Sequence, residues 1–196
     1  MLAAARDLFG AQGYANTSTK QIAQRAGTVE TILFRNFGSK ADLFAAAVAA
    51  PFCEYIEGYV GSWERQPPTV SPEQLVHEFV AGLFDLARRN RELLLSLVAA
   101  RTSAEEPLRD VARQVGERFG NALTAMYRVA VEEGAAHHFV GMDPPVTLAA
   151  VVGMVLGMVL LDDWVFPPGR RPGRDRQVRE VATMILHGIA HRDPAT

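Results

Sequence analysis

The chain has 196 residues, of which 48% are hydrophobic, and its formal net charge is -2. This length and composition predict one or two domains with a sizeable core, and the charge excludes a polycationic protein. The single cysteine, Cys53, excludes an internal disulfide framework and is typical of the reducing cytoplasm. The longest run without charge or proline, residues 146–161, is shorter than the roughly 18 residues expected of a membrane span. We therefore expect a buried helix there and no membrane partner.

Charge is distributed unevenly along the chain. Residues 1–50 carry five basic and three acidic side chains, whereas the remainder is acidic on balance. This asymmetry weakly favours the amino-terminal part as the place where a polyanion would bind.

The amino-terminal part reads as short helices separated by glycines. Leu2, Ala5, Leu8 and Phe9 form one apolar stripe, and Gly13 is predicted to end that helix. The S-x-x-Q spacing of Ser18 and Gln21 is a capping-box signal, which opens a short helix that Gly27 closes.

A third helix is predicted over residues 29–36, with Val29, Leu33 and Phe37 on its core face. Gly38 ends it, and Ser39 with Asp42 caps a fourth helix. Two short helices joined by so few residues are typical of a helix-turn-helix, at about residues 18–37. The third helix would then be the recognition helix.

The rest of the chain also has helical periodicity. The fourth helix is predicted to reach about residue 63, followed by a connector over 65–72. Further helices are predicted over 73–89, 91–102, 105–133, 145–165 and 175–191. We predict an all-α fold of about nine helices, with a helix-turn-helix domain over 1–45 and a larger helical domain over 46–196.

The motifs LAAARDLFGAQGY, TSTKQIAQRAG and ILFRNFGSK, followed by LF, resemble a TetR-family transcriptional regulator over residues 2–45. The resemblance implies a homodimer that places two recognition helices in successive major grooves of a palindromic operator. It also implies a carboxy-terminal domain that binds a small molecule and dimerises through its last two long helices. The residues that would contact DNA are Ser18, Thr19, Lys20, Thr28, Glu30, Thr31, Phe34, Arg35, Asn36 and Lys40.

The sequence departs from the family pattern at several of these positions. A hydrophobic residue is frequent where Thr28 stands, and a serine where Val29 stands, so we expect Thr28 to cap the third helix. Thr31 replaces a frequent glycine. Phe34 occupies a position that is usually tyrosine, so it lacks the hydroxyl that would contact a phosphate.

The expected roles differ from residue to residue. Arg35 can donate two hydrogen bonds to guanine, or it can contact a phosphate or pair with Glu30 or Asp42. Asn36 can read adenine, although its position on the helix favours a structural role. Lys40 begins the fourth helix, where the macrodipole disfavours a cation, and a DNA phosphate beside it would explain its position.

The carboxy-terminal part is rich in aromatic and methionine residues, which at helical spacing usually form a core. Helical bundles also place ligand cavities between helices, and we expect a largely apolar pocket. Its candidate residues are Tyr55, Tyr59, Trp63, Phe84, Met126, Tyr127 and Trp164, with His137 or His138 as further polar contacts.

The last two helices supply the predicted dimer interface. Gly153 and Gly157 have the spacing that allows two helices to approach closely. Together with the apolar positions of the final helix, they give the set Gly153, Gly157, Val178, Val181, Ala182, Ile185 and Ile189. Packing within one chain is the alternative use of these residues.

No enzymatic or metal motif is evident, and we expect no cofactor. His187 and His191 have His-x3-His spacing, but Gly188 stands where a metalloprotease has glutamate. Asp162 and Asp163 have no nucleophile or histidine near them in the sequence. We therefore predict a cytoplasmic DNA-binding repressor that a small, largely apolar ligand releases from DNA. The alternative is a DNA-binding protein that answers to a protein partner and has no small-molecule pocket.

Overall fold

Ten helices make up the part of the chain that the computed structural model describes, which is residues 1–63, 71–102, 104, 106–136 and 143–190. The prediction of an all-α fold is confirmed. In chain order the helices are α1 (Leu2–Asn16), α2 (Thr19–Arg25), α3 (Glu30–Phe37), α4 (Lys40–Trp63), α5 (Pro72–Arg89), α6 (Arg91–Arg101), α7 (Glu106–Ala136), α8 (Pro144–Leu160), α9 (Asp162–Val165) and α10 (Arg174–Ala190).

Two helices differ in detail from their predicted form. Gly13 has a φ of 74°, so the regular part of α1 ends there, as predicted, although a further turn extends to Asn16. The single helix predicted over 145–165 is divided into α8 and α9. Leu161 interrupts it, with φ and ψ of -113° and 25°.

The described helices fall into two compact units. Unit 1 contains residues 1–54 and 90–121, and unit 2 contains residues 55–89 and 122–196. Each unit is therefore made of two separate stretches of the chain, and the division falls inside α4 and inside α7.

The core of unit 1 brings together the first four helices, α6 and the first part of α7. Phe9, Leu33 and Phe44 are fully buried in it, and Leu93 and Val111 extend it. Complete burial of a large apolar side chain contributes about 1.5–3 kcal/mol, so this core holds the short helices α2 and α3 in place. Helices of seven and eight residues would not be stable alone.

Unit 2 is built around the mutual packing of α5, α8 and α10. Its fully buried side chains include Val80, Phe84, Val155 and Val178. On α8 the buried positions are Leu148, Val151, Val155 and Val159, which lie on one face. The helix predicted to be buried is therefore buried along one face, and Val146 and Gly153 are exposed.

One described helix segment, Lys40–Ser62 of α4, is long and apolar enough to cross a membrane by length and composition. Of its most apolar window, 56% is buried inside the protein. Because this burial is already provided by neighbouring helices, we interpret α4 as a core helix.

Candidate nucleic-acid interface

Both ends of α2 are fixed by local hydrogen bonds. The Ser18 hydroxyl accepts from the Gln21 amide at 3.2 Å, and the Gln21 side chain accepts from the Ser18 amide at 2.8 Å. The predicted capping box is thus present. At the other end of α2 the amides of Gly27 and Thr28 donate to the carbonyls of Gln24 and Ala23, and Gly27 has a φ of 65°. This is a Schellman motif, which only a residue tolerant of positive φ closes cheaply.

The first residues of α2 and α3 are joined by a side-chain hydrogen bond. The Thr19 hydroxyl donates to the Glu30 carboxylate at 2.6 Å. The sequence placed both residues at the DNA surface but did not predict this contact, because it joins positions eleven residues apart. Ser18 and Lys20 remain exposed beside it, and Thr28 is half-buried in the turn.

The outer face of α3 is exposed along its length. Thr31, Phe34, Arg35 and Asn36 all face solvent, and Phe34 is 42% exposed although it is apolar. Within the described residues Arg35 has no hydrogen bond or ion pair, so the alternative pairing with Glu30 is not observed. The Glu30 carboxylate accepts from Thr19 instead.

Asn36 has a weak internal contact. Its amide nitrogen lies 3.8 Å from the sulfur of Met1, within reach of a long hydrogen bond. This contact joins the end of α3 to Met1, immediately before α1.

Val29 is a candidate contact residue that the sequence reasoning missed. It was assigned to the core face of the third helix, but it is 59% exposed and stands as the N-cap of α3. Thr28 therefore does not cap the helix as expected, and Val29 has no side-chain cap bond. The signal was present in the sequence: the family often has serine here, a residue of helix caps rather than cores.

Lys40 lies at the beginning of α4, where its ammonium meets an aromatic ring. The Lys40 Nζ lies 4.3 Å from the centroid of the Tyr14 ring. Partial burial lowers the pKa of Lys40 from its ordinary value. Immediately before it, the Ser39 hydroxyl accepts from the Asp42 amide at 3.0 Å and donates to the Asp42 carboxylate at 2.7 Å. The predicted cap of this helix is present.

The side chains predicted to line a ligand pocket do not all share one environment. The hydroxyls of Tyr55 and Tyr59 donate to the backbone carbonyls of Phe79 and Leu75 at 2.8 and 2.9 Å, which uses their polar atoms inside unit 2. Burial raises the pKa of Tyr55, so its hydroxyl stays neutral. Trp164, in contrast, is 85% exposed on α9.

The other pocket candidates lie deeper or outside the described residues. Phe84 and Met126 are buried, and Tyr127 is half-buried. Trp63 ends α4, but its side chain lies outside the described residues, as do His137 and His138.

The residues predicted for the dimer interface separate into outward and inward groups. Gly153 is exposed and Gly157 half-buried, and a Cβ built at either position meets no described atom beyond the adjacent part of α8 within 4 Å. Within one described subunit, these glycines therefore do not serve close helix approach. The inward group is buried in unit 2 and consists of Val178, Val181, Ala182 and Ile185. The side chain of Ile189 is outside the described residues.

Several apolar side chains of α8 to α10 are exposed instead. They were not predicted for the interface, and they are Val146, Leu161, Trp164, Val165 and Met184. On α8, which is apolar almost throughout, the sequence could not separate the exposed Val146 from the buried face. We call these five residues the outer apolar face.

The acidic pair of α9 has a structural explanation. Asp162 is buried, and its carboxylate lies 2.5 Å from the guanidinium of Arg171, whereas Asp163 is exposed. Within the described ranges no three His, Cys, Asp or Glu side chains come together as a metal site would require. His187 is exposed near the end of α10, and its predicted partner His191 lies outside those ranges.

Comparison with known proteins identifies the amino-terminal segment. Residues 1–47 match the family described as bacterial regulatory proteins of the tetR family. The described fold is similar to that of the transcriptional regulator FadR from Bacillus subtilis, solved with stearoyl-CoA, with a TM-score of 0.68 and 16% identity over 96% of this chain and 97% of that one.

Two further solved structures have the same fold. The fatty acid degradation regulator FadR from Bacillus halodurans gives a TM-score of 0.68 and 16% identity, covering 95% of this chain and 96% of that one. A TetR/AcrR-family regulator from Thermobifida fusca gives 0.62 and 23%, covering 98% and 96%. Because these identities are low, the structural likeness establishes the fold alone.

Proposed function

We propose that this protein is a homodimeric, sequence-specific DNA-binding repressor of the cytoplasm. Two findings support the proposal: residues 1–47 match the tetR family of bacterial regulatory proteins, and the chain has the TetR-like fold. A small, largely apolar ligand would release it from its operator. The family is one of transcriptional regulators, and we propose no enzymatic activity for this member. The DNA-binding domain would comprise residues 1–45, and the ligand-binding and dimerisation domain residues 46–196.

The observation that carries the proposal is the exposed outer face of α3, on which Arg35 has no hydrogen bond or ion pair among the described residues. In a major groove, Arg35 would donate to guanine O6 and N7, and Phe34 and Thr31 would offer apolar contact to a thymine methyl. Ser18, Lys20 and Lys40 would lie against phosphates, which fix the position of the helix without reading sequence. Two subunits would place two such helices about 34–36 Å apart on a palindromic site.

The outer apolar face supports a dimer. Trp164 and Met184 are large side chains, 85% and 60% exposed, and aromatic residues and methionine are enriched in protein interfaces. Gly153 and Gly157 would permit close approach by a second copy, since no described residue outside their own stretch of α8 lies within 4 Å of a Cβ built at either position. In this arrangement the inward apolar residues of α10 support the interface from behind.

The ligand proposed for unit 2 is small and largely apolar. A structural neighbour, FadR of Bacillus subtilis, was solved with stearoyl-CoA, whose acyl chain is long and apolar. An apolar ligand within unit 2 would fit the aromatic and methionine content of that unit. A ligand that binds the form with wrongly spaced recognition helices shifts the population away from DNA.

DNA recognition is tested by selecting duplexes from a random library with the purified protein. The selected duplex and a scrambled duplex are then compared across a salt series. We expect a preference of about 10³-fold or more. Arg35→Ala should reduce the preference, whereas Lys40→Ala should weaken both complexes and lower the log–log salt slope by about 0.9 for each phosphate that is no longer neutralised. Arg176→Ala, an exposed arginine of α10, is the matched control. Equal, feeble binding to both duplexes would contradict the proposal.

Ligand control is tested by titrating the selected complex with stearoyl-CoA, stearate and coenzyme A. Release by stearoyl-CoA or stearate, but not by coenzyme A, would support an apolar effector. Unchanged affinity with all three, together with release by a protein fraction, would favour the alternative in which a protein partner controls DNA binding.

A further inference from the structure

Lys40 and Tyr14 come from different helices and meet at the surface of unit 1. The ammonium lies 4.3 Å from the ring centroid, well within the ~6 Å over which a cation is attracted to an aromatic face. Partial burial also lowers the pKa of Lys40, because it removes part of the ammonium's water shell.

The position of the ring is determined by the core beneath it. The Tyr14 ring stands edge-on to Phe44, with centroids 5.2 Å apart, and is stacked with Phe9 at 5.9 Å. Phe9 and Phe44 are both fully buried. Gly13, with its positive φ, breaks α1 immediately before Tyr14, which separates the direction of this ring from the preceding helix.

The backbone at Lys40 is fixed as well. Gly38 has a φ of 83°, and the paired hydrogen bonds between Ser39 and Asp42 hold the first turn of α4. Both partners of the contact therefore rest on ordered structure, and the lysine side chain is the only long flexible element between them.

A free lysine must give up rotamer freedom when it binds a phosphate, which costs about two- to tenfold in affinity for each side chain ordered. A lysine that is already held against an aromatic ring has lost this rotamer freedom in the DNA-free protein, so binding a phosphate costs it less. We propose that Tyr14 is a positioning residue for DNA binding, whose ring holds the Lys40 ammonium at the start of α4 in readiness for a backbone phosphate. The inference rests on the proposed function and adds to it a residue that touches no DNA.

Three substitutions of Tyr14 distinguish the contributions to DNA affinity of the electron-rich ring face, of the ring's shape and of the hydroxyl. Tyr14→Phe keeps the ring, Tyr14→trifluorophenylalanine keeps the shape but withdraws the negative charge of the face, and Tyr14→Leu removes the ring. Each is made with Lys40 intact and with Lys40→Ala. Affinity is measured for a 30-bp mixed-sequence duplex at low salt and for the selected duplex, and circular dichroism melting checks the fold of every variant.

We expect Tyr14→Phe to bind within about twofold of the unchanged protein. The trifluorophenylalanine and Leu variants should bind both duplexes about two- to tenfold more weakly per subunit, without a change in sequence preference. In the Lys40→Ala background the same substitutions should have no further effect. If a Leu variant proves unstable, the trifluorophenylalanine variant gives the answer, because it preserves packing.

Three results would overturn the inference. A loss with Tyr14→Phe as large as with Leu would mean that the hydroxyl contacts DNA directly. Equal losses with and without Lys40 would mean that Tyr14 acts on the fold. Full affinity in Lys40→Ala, with sequence-specific binding retained, would remove the phosphate contact itself. The proposed function fails separately, when the unchanged protein shows no preference for any selected duplex.

Discussion

Gly82 of α5 lies where a single added methyl group has no room. A Cβ built at Gly82 would lie 2.5 Å from the hydroxyl oxygen of Tyr55 and 2.6 Å from a ring carbon. The Tyr55 ring cannot turn away freely, because it packs against Phe79 and Tyr59 with centroids 6.0 and 6.4 Å away. We therefore predict that Gly82→Ala destabilises the protein.

The change in the free energy of unfolding combines two destabilising contributions and one stabilising contribution. Overpacking of a filled site costs about 1–3 kcal/mol. Displacing the tyrosine breaks its 2.8 Å hydrogen bond to the Phe79 carbonyl, which contributes about 0.5–1.5 kcal/mol. Replacing glycine by alanine inside a helix returns about 1 kcal/mol. The net expectation is a loss of about 0.5–3.5 kcal/mol in the free energy of unfolding.

Urea unfolding followed by circular dichroism, at one protein concentration, measures this change. Gly58→Ala is the matched control, since Gly58 lies inside α4 and its added Cβ meets nothing within 4 Å. That control should be neutral or more stable by up to about 1 kcal/mol. Equal stabilisation by both substitutions would refute the reasoning, because it would mean that the Tyr55 ring moves aside without cost.

Two further predictions concern unit 2. Arg174 donates two hydrogen bonds of 2.8 and 2.6 Å to the Asp85 carboxylate, and they hold the pKa of Asp85 below its usual range. The ionised carboxylate therefore stabilises the fold at pH values above the ordinary carboxyl pKa of about 3.9. This stabilisation is lost as the pH falls through the lowered pKa. Asp85→Asn should lower the free energy of unfolding by about 1 kcal/mol at pH 7, as measured by urea unfolding. The difference in this free energy between the variant and the unchanged protein should become smaller below about pH 4. A difference that does not depend on pH would contradict the ion pair. Met184→Glu, on the outer apolar face, should raise the dimer dissociation constant at least about tenfold in sedimentation, because it buries a charge in the interface. Val98→Glu, which changes a similarly exposed apolar residue of α6, should leave that constant unaltered, and equal effects of the two would argue against the proposed interface.

The local signals of the amino-terminal helices could be predicted because each depends on neighbours in sequence. The Ser18–Gln21 capping box and the positive φ of Gly27 are examples, since their hydrogen bonds span only a few residues. The exposure of Val29 could not be predicted from periodicity, because a residue at a helix cap does not follow the helical face. The bond from Thr19 to Glu30 depends on how two helices are placed, which no periodicity encodes.

The uses of the carboxy-terminal residues were harder to predict for a different reason. In α8 almost every side chain is apolar, so its composition does not show which face is buried. Only the packing of α5 and α10 against it selects Val151 and Val155 for the interior and leaves Val146 outside. Likewise, the spacing of the aromatic residues on α4 favoured a core and left a pocket open, and the carbonyl partners of Tyr55 and Tyr59 became visible only in three dimensions.

The hydrogen bond from Thr19 to Glu30 bears on how such a regulator could evolve a new operator. In the proposed complex, Thr19 at the start of α2 would lie near phosphates like its neighbours Ser18 and Lys20, and Glu30 at the start of α3 would face the groove. A substitution at position 30 that alters base preference also removes the hydrogen-bond partner of Thr19. A change in the DNA sequence recognised would therefore be accompanied by a change in the affinity for DNA of any sequence. Paired substitutions at 19 and 30 would therefore be the accessible route to a new site, and lineages that diverge in operator sequence should vary at both positions together.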